Sequence, residues 1–304
     1  MLLKLFFLLL IFIAPLYAAS SATCTPPSSD PDVGGLLGKR KTPDDKTKVD
    51  DSIERFHVPI EVLSEQVQTW CSSLQKIELL TEIGLVPSDV AISGDHGVGK
   101  TWQIKQVAEM LGASFCEASG YAIAAENSKQ ENKLAAYNAW VAERYKELQN
   151  QNTKIAMLVI SRFSAILQQP NFCLSNAMQH VNRLRQVALE ENGVHLIFCA
   201  EFTSNLDLGV QAYFDANLAI TVPTQSQRQA FLTWKLKQFK CEDDLRTLKE
   251  IVCITDGYAG VEMHQALQAA VRELICKREL LTASGILKMM QSKKTQTEAP
   301  PYFS

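Results

Sequence analysis

Nine consecutive residues carry the most chemistry in this sequence: Ser93-Gly94-Asp95-His96-Gly97-Val98-Gly99-Lys100-Thr101. Gly94, Gly99, Lys100 and Thr101 satisfy G-x-x-x-x-G-K-[ST], the pattern of a phosphate-binding loop. Glycine permits the backbone angles that turn successive N–H groups inward onto phosphate oxygens. A helix opening near Lys100 adds the positive end of its dipole. Lys100 then reaches the β- and γ-phosphates as a point charge, and the Thr101 hydroxyl serves as a Mg²⁺ ligand. Asp95 and His96 are unusual neighbours for a phosphate, because a carboxylate repels a triphosphate unless a cation intervenes. Both are expected to point to solvent from the loop's outer arm. The alternative is weaker nucleotide affinity or an altered preference.

Such a loop must follow a strand and open a helix. "DVAIS" before it and "TWQIKQVAEM" after it meet both conditions. The remaining elements read the same way. "SFCEASG" is a short strand, and "KIAMLVIS" (154–161) and "VHLIFCA" (194–200) are near-continuous apolar runs of the kind found in buried parallel strands. "NLAITVP" (217–223) is the last strand. Helical spacing marks 52–77, the stretch after the loop up to Gly112, 124–150 and 175–191. Strands alternating with helices predict an α/β fold, a parallel sheet with helices on both faces. Beyond Pro223 the sequence reads helical throughout, over 225–239, 243–255, 260–277 and 282–291. The expected division is a nucleotide-binding domain over 52–224, a helical subdomain over 225–291 and a polar, disordered tail over 292–304.

Composition excludes several classes. A formal net charge of −3, with no basic stripe interleaved with aromatics, argues against a nucleic-acid partner. The eight cysteines show neither a CxxC pair nor metal-ligand spacing, and several lie in apolar runs, so they are expected as reduced core residues. Residues 1–22 have a lysine, an apolar run broken by Pro15 and then small residues, the layout of a secretory signal peptide. An uncleaved anchor is the alternative, and any membrane contact is expected through this segment alone. Residues 23–51, rich in Pro, Gly, Ser and alternating charge, read as a flexible tether.

Four segments together resemble the AAA family of ATPases. "EIGLVPSDVAISGDHGVGKTWQIKQVAEMLGASFCEASG" is similar to that family's phosphate-loop run. "VHLIFCAEFTSNLD" is similar to its fourth strand with the sensor position, and "AYFDANLAITVP" to its arginine-finger region and fifth strand. "TDGYAGVEMHQALQAAVREL" is similar to the Gly-x-Ser/Ala-Gly helix of its lid. The likeness runs from about Leu79 to Met290. Its spacing is nearest to the membrane-associated mitochondrial AAA proteins and, more distantly, to the membrane-bound AAA proteases. No zinc-binding His-Glu-x-x-His follows, so protease chemistry is not expected on this chain.

The resemblance implies a P-loop NTPase sheet sandwiched by helices, with a C-terminal all-helical AAA lid. ATP and Mg²⁺ are the implied cofactors, held by Gly94, Asp95, His96, Gly97, Val98, Gly99, Lys100, Thr101 and Trp102. Gly260 is implied to bring the lid helix close to adenine. A homo- or hetero-oligomeric ring with AAA subunits is implied too. A polypeptide substrate would be gripped by an aromatic residue, Tyr121 or Tyr137, for which core packing is the alternative.

The departures fall on the catalytic positions. The family's third strand ends in Asp-Glu, for Mg²⁺ and for the attacking water. Here it ends in Ser161-Arg162. Serine carries no charge, and arginine cannot act as a base. Glu201 stands at the sensor asparagine, and Gln211, Ala212 and Tyr213 stand where paired arginines precede Phe214-Asp215. The expectation is therefore an ATP-binding protein with degenerate hydrolysis, using ATP structurally or as a regulatory subunit. One alternative is a working remodelling ATPase with acids recruited from elsewhere, Glu201 or Asp215. The other is a non-enzymatic interaction protein or exported effector with a relic loop.

Overall fold

The computed structural model describes residues 58–83, 89–149, 151, 153–203, 207–239, 241 and 245–298. The leader or anchor over 1–22 and the tether over 23–51 lie outside the described residues. Among those described, no helix is long and apolar enough to cross a membrane.

A 3-10 turn at Ile60–Val62 leads into α1 (Glu65–Leu74) and α2 (Ile77–Glu82), then β1 (Val90–Ser93) and α3 (Lys100–Leu111). Next come β2 (Ser114–Ser119), α4 (Gly120–Asn127), α5 (Lys133–Gln149) and β3 (Ile155–Ser161). They are followed by α6 (Ser164–Leu167), α7 (Leu174–Asn192), β4 (His195–Glu201), α8 (Leu208–Gln211) and β5 (Ala216–Ala219). Four helices close the chain: α9 (Gln225–Gln238), α10 (Leu245–Ile254), α11 (Gly260–Lys277) and α12 (Ala283–Glu298).

All five strands run parallel, in the order β2-β3-β4-β1-β5. The molecule is thus an α/β fold of the P-loop NTPase type. Strand alternation sends successive side chains to opposite faces. Ile92, Met157, Val159, Ile197 and Cys199 join the core beneath α1 and α3. Ala91, Leu158, Ile160, Phe198 and Ala200 join the core beneath α5 and α7. A third core, around Leu232, Leu236, Ile251, Leu267, Leu274 and Ile286, binds the four last helices together and takes in Val58 and Val62. Trp102, on the first turn of α3, packs against both the first and the third core.

Several boundaries differ from expectation. The last strand, expected over 217–223, is β5 at Ala216–Ala219, and the helical stretch expected up to residue 77 is, over the described residues, the 3-10 turn Ile60–Val62 followed by α1 at Glu65–Leu74. The helix expected over 124–150 is two helices, α4 and α5, parted by the polar run 128–132. There the Asn132 side chain accepts the Ala135 N–H (3.0 Å), a local bond that starts α5 afresh. β2 stops at Ser119 and the chain turns at once into α4, with Gly120 close against the chain after β3: a Cβ there would lie 2.4 Å from the Arg162 carbonyl oxygen. The last helix runs to Glu298, so residues 292–298 are helical where a disordered tail is expected.

The cysteine expectation can be read directly. Cys71, Cys116, Cys199 and Cys241 are buried as expected, whereas Cys173, Cys253 and Cys276 are exposed and not core residues; no described cysteine forms a disulfide. Burial pushes the Cys71 and Cys116 thiols up to about 11, which leaves them protonated and inert at neutral pH.

At the entering edge of the sheet, the carboxylate of Asp89 pairs with Arg185 of α7, and both are buried. The Arg185 Nε also donates to the Leu196 carbonyl at 2.9 Å, so this guanidinium ties α7 to two strands. Removing one member of a buried pair strands the other's charge, which costs about 3–5 kcal/mol. Arg185→Leu is therefore expected to lower unfolding free energy by about that amount, read as a lower denaturant midpoint at unchanged slope.

Candidate functional site

The leaving edge of β1 opens into the glycine loop. Gly94 has φ 144°, a value few side chains adopt, and a Cβ there would lie 2.1 Å from the Ile220 carbonyl oxygen just after β5. Gly97, at φ 78°, is pressed from the other side: its Cβ would meet Val261 Cγ1 at 2.6 Å. The loop is thus held between the end of β5 and the start of α11. The Val261 N–H donates to the Gly97 carbonyl (2.9 Å), and a Cβ on Gly260 would lie 3.2 Å from the Val98 carbonyl oxygen. Gly260 is a close-approach position between α11 and the loop.

Among the described residues, the backbone N–H groups of His96, Gly97 and Gly99 make no hydrogen bond within the protein, while Val98 closes a turn over 95–98. Together with the first turn of α3 those three form an array of unpaired donors suited to an anion. Lys100 is buried, and its Nζ donates to the Gly94 and Asp95 carbonyls, both at 2.8 Å. Asp95 and His96 are exposed, as expected, but His96 also stands at the mouth of the cleft beside the loop.

That cleft encloses about 350 Å³ between the loop, the start of α3 and the faces of α9 and α11. His96, Gly97, Val98, Gly99, Lys100, Thr101, Trp102 and Gly260 all line it; Gly94 and Asp95 do not. Its far end is apolar, walled by Val62, Phe231, Val261 and Met263. Trp102 meets the Phe231 ring edge-on at 6.1 Å and the tilted Trp234 ring at 6.3 Å. Lys235 and His264 add titratable groups to the lining, beside the amides of Gln103 and Gln227. Burial lowers the Lys235 ammonium, whose Nζ lies 4.1 Å from the Trp234 ring centroid. Burial also lowers His264, and the Lys235 charge lowers it further. Sequence reading missed both residues. Their only signal is helical spacing, Lys235 falling one turn after Phe231 and His264 one turn after Gly260.

The third-strand positions do not join the cleft lining. The Ser161 hydroxyl donates to the Ala118 carbonyl at 3.2 Å. Arg162 takes a left-handed φ of 53° and lays its guanidinium over the Tyr121 ring, 5.4 Å from the centroid. Tyr121 is exposed, whereas Tyr137 is fully buried against Phe163 and Phe172 and is a core residue.

The acid in the cleft comes from the neighbouring strand. Glu201, the last residue of β4, is 8% exposed, and among the described lining residues it is the only carboxylate. Its Oε2 accepts from the Thr101 hydroxyl at 2.7 Å, and its Oε1 lies 3.4 Å from Lys100 Nζ. Glu117 of β2 is near enough to feel it. Partial desolvation and then the Glu201 charge raise the Glu117 carboxyl, with Lys105 opposing. Asp215, the other acid considered for recruitment, lies at the opposite end of the strands, its N–H on the Asp89 carbonyl.

These residues fit a nucleotide with Mg²⁺: free N–H donors and Lys100 for phosphate, Thr101 beside a carboxylate for the cation, and an apolar end for a base. When bound, the cation would neutralise phosphate charge. No group of three His, Cys, Asp or Glu among the described residues gathers as an independent metal site.

No protein-family model matches the chain. It is 24% identical over 199 residues (62% of its own length and 36% of the relative's) to Fidgetin-like protein 1 of Drosophila melanogaster. It is 25% identical over 228 residues (69% and 32%) to ATP-dependent zinc metalloprotease FtsH 2 of Phytoplasma mali (strain AT). The chain therefore spans about a third of the length of these curated relatives. Two such distant likenesses, together with the parallel sheet, support an AAA-type fold.

The tight packing of Gly94 makes it a test of the loop's geometry. Gly94→Ala is expected to cost about 2–4 kcal/mol, from left-handed strain plus overpacking against a backbone carbonyl. The loss would appear as a lower melting temperature. Gly112→Ala, which has open space around its Cβ, should show only the strain component.

Proposed function

We propose that this chain is an AAA-type protein that holds ATP with Mg²⁺ and turns it over slowly or not at all, using the nucleotide structurally or as a regulatory subunit. The observation that carries this reading is the division of the site. The phosphate loop, Lys100, Thr101 and Gly260 converge on one cleft, while Ser161 and Arg162 put no acid into it. Hydrolysis needs a group that orients and deprotonates water. Glu201, the cleft's one described carboxylate, has both oxygens engaged by Thr101 and Lys100. Assembly with AAA subunits, as copies of itself or beside an active partner, belongs to this reading and rests on the resemblance. So does a polypeptide substrate, for which exposed Tyr121 is the better placed aromatic. The sequence over 1–22 adds a secretory or membrane-anchored location to the proposal, and the division into a nucleotide-binding domain and a helical lid completes it.

The test compares the 51–304 fragment with Lys100→Ala. Each is incubated with labelled ATP and Mg²⁺, separated from free nucleotide, and its retained and released nucleotide identified. The expected outcome is unchanged ATP on the parent and at least about tenfold less on the variant, which loses the point charge on the phosphates. Released ADP that disappears in Lys100→Ala would replace this reading with an active ATPase. Absence of nucleotide from both would leave the loop as a relic.

A further inference from the structure

The acid missing from the end of β3 has a counterpart one strand over. β3 and β4 pair with Ile160 opposite Ala200, and both of those side chains enter the core beneath α5 and α7. The next residues in the same register, Ser161 and Glu201, therefore occupy one row on the opposite face, the face that α3 covers. Neighbouring strands lie about 4.8 Å apart, so moving a carboxylate from position 161 to position 201 shifts it by one strand spacing. The shift is toward the loop, because β4 and not β3 is the strand paired with β1. Glutamate is one methylene longer than aspartate. From this closer strand it reaches α3 directly, where its Oε2 takes the Thr101 hydroxyl at 2.7 Å.

We propose that Glu201 supplies, from β4, the carboxylate that positions the divalent cation accompanying the nucleotide, in place of the absent acid on β3. This rests on the nucleotide reading above. Mg²⁺ in nucleotide sites is characteristically bound through one or two carboxylates plus substrate phosphates, not by an all-protein cage. One buried carboxylate beside a Ser/Thr hydroxyl at the mouth of a phosphate loop meets that requirement. The ion pair between Glu201 and Lys100, both buried, adds a second role. Glu201 holds the lysine against the loop, so it orients both cationic partners of a triphosphate. It acts as a positioning residue, and assigning it to the cation leaves no carboxylate in the described cleft lining for water.

Calorimetric titration of ATP into the full chain, once with Mg²⁺ and once with EDTA, tests the assignment without reference to turnover. The parent is expected to bind more tightly with Mg²⁺, and Glu201→Gln to lose at least about tenfold of that Mg²⁺ advantage, as removal of a charged partner implies. In the double variant Ser161→Asp/Glu201→Gln, which returns the acid to β3, the advantage should reappear. An unchanged Mg²⁺ advantage in Glu201→Gln overturns the proposal alone and leaves nucleotide binding standing. No binding by the parent in either condition overturns the nucleotide reading, and this proposal with it. If Glu201→Gln binds in neither condition, the double variant decides. Recovery of Mg²⁺-dependent binding supports the assignment, and failure to recover it overturns it.

Discussion

Everything at the site follows from one constraint: all five strands point the same way, with β1 flanked by β4 and β5. A parallel sheet brings every strand's carboxyl end to one edge, and ligands bind there. β1 lies one strand in from the β5 side of the sheet, paired on both sides, so neighbours press on the glycine loop from left and right. Ile220, following β5, closes one side of Gly94, and Glu201, ending β4, supplies the acid on the other. Had β3 been the neighbour of β1, Ser161 would border the loop, and the cleft would hold no described carboxylate.

Much of this was legible in the sequence. The five strands and the loop between β1 and α3 announce themselves through apolar runs and glycine spacing, which are local signals. So do the last four helices, whose periodicity needs no partner to be read. The errors lie where a local signal yields to a contact distant in sequence. Gly120 resembles the end of a strand in "SFCEASG", yet it starts α4, and its missing Cβ answers to the close Arg162 carbonyl. The polar run 128–132 resembles helix surface, yet Asn132 caps a new helix there.

The site itself was half legible. Lys100 and Thr101 identify themselves by spacing, but the meaning of Glu201 depends on the β3–β4 register and on the placement of α3, one hundred residues earlier. No window of sequence contains that relation. The same holds for Lys235 and His264, which come from two helices and meet only because the third core packs α9 and α11 together. Asp215 illustrates the opposite failure: close in sequence to a family motif, it lies at the wrong end of the strands.

The arrangement around Lys100 bears on affinity. An ammonium has three N–H donors. Here two are spent on the Gly94 and Asp95 carbonyls and the third faces Glu201 at 3.4 Å. A phosphate reaching Lys100 must therefore replace a partner already made, and the net gain from that contact is a difference between two charge-assisted interactions. The unpaired N–H groups of His96, Gly97 and Gly99 carry no such penalty, since no protein acceptor is given up. Backbone donors and the cation then contribute more to phosphate binding than the lysine charge alone suggests. That ordering suits the proposed retention of nucleotide. On that reading the loop would supply the hold and Glu201 would order the two cationic partners, while the edge of β3, with its arginine stacked on Tyr121, lies outside the cleft lining.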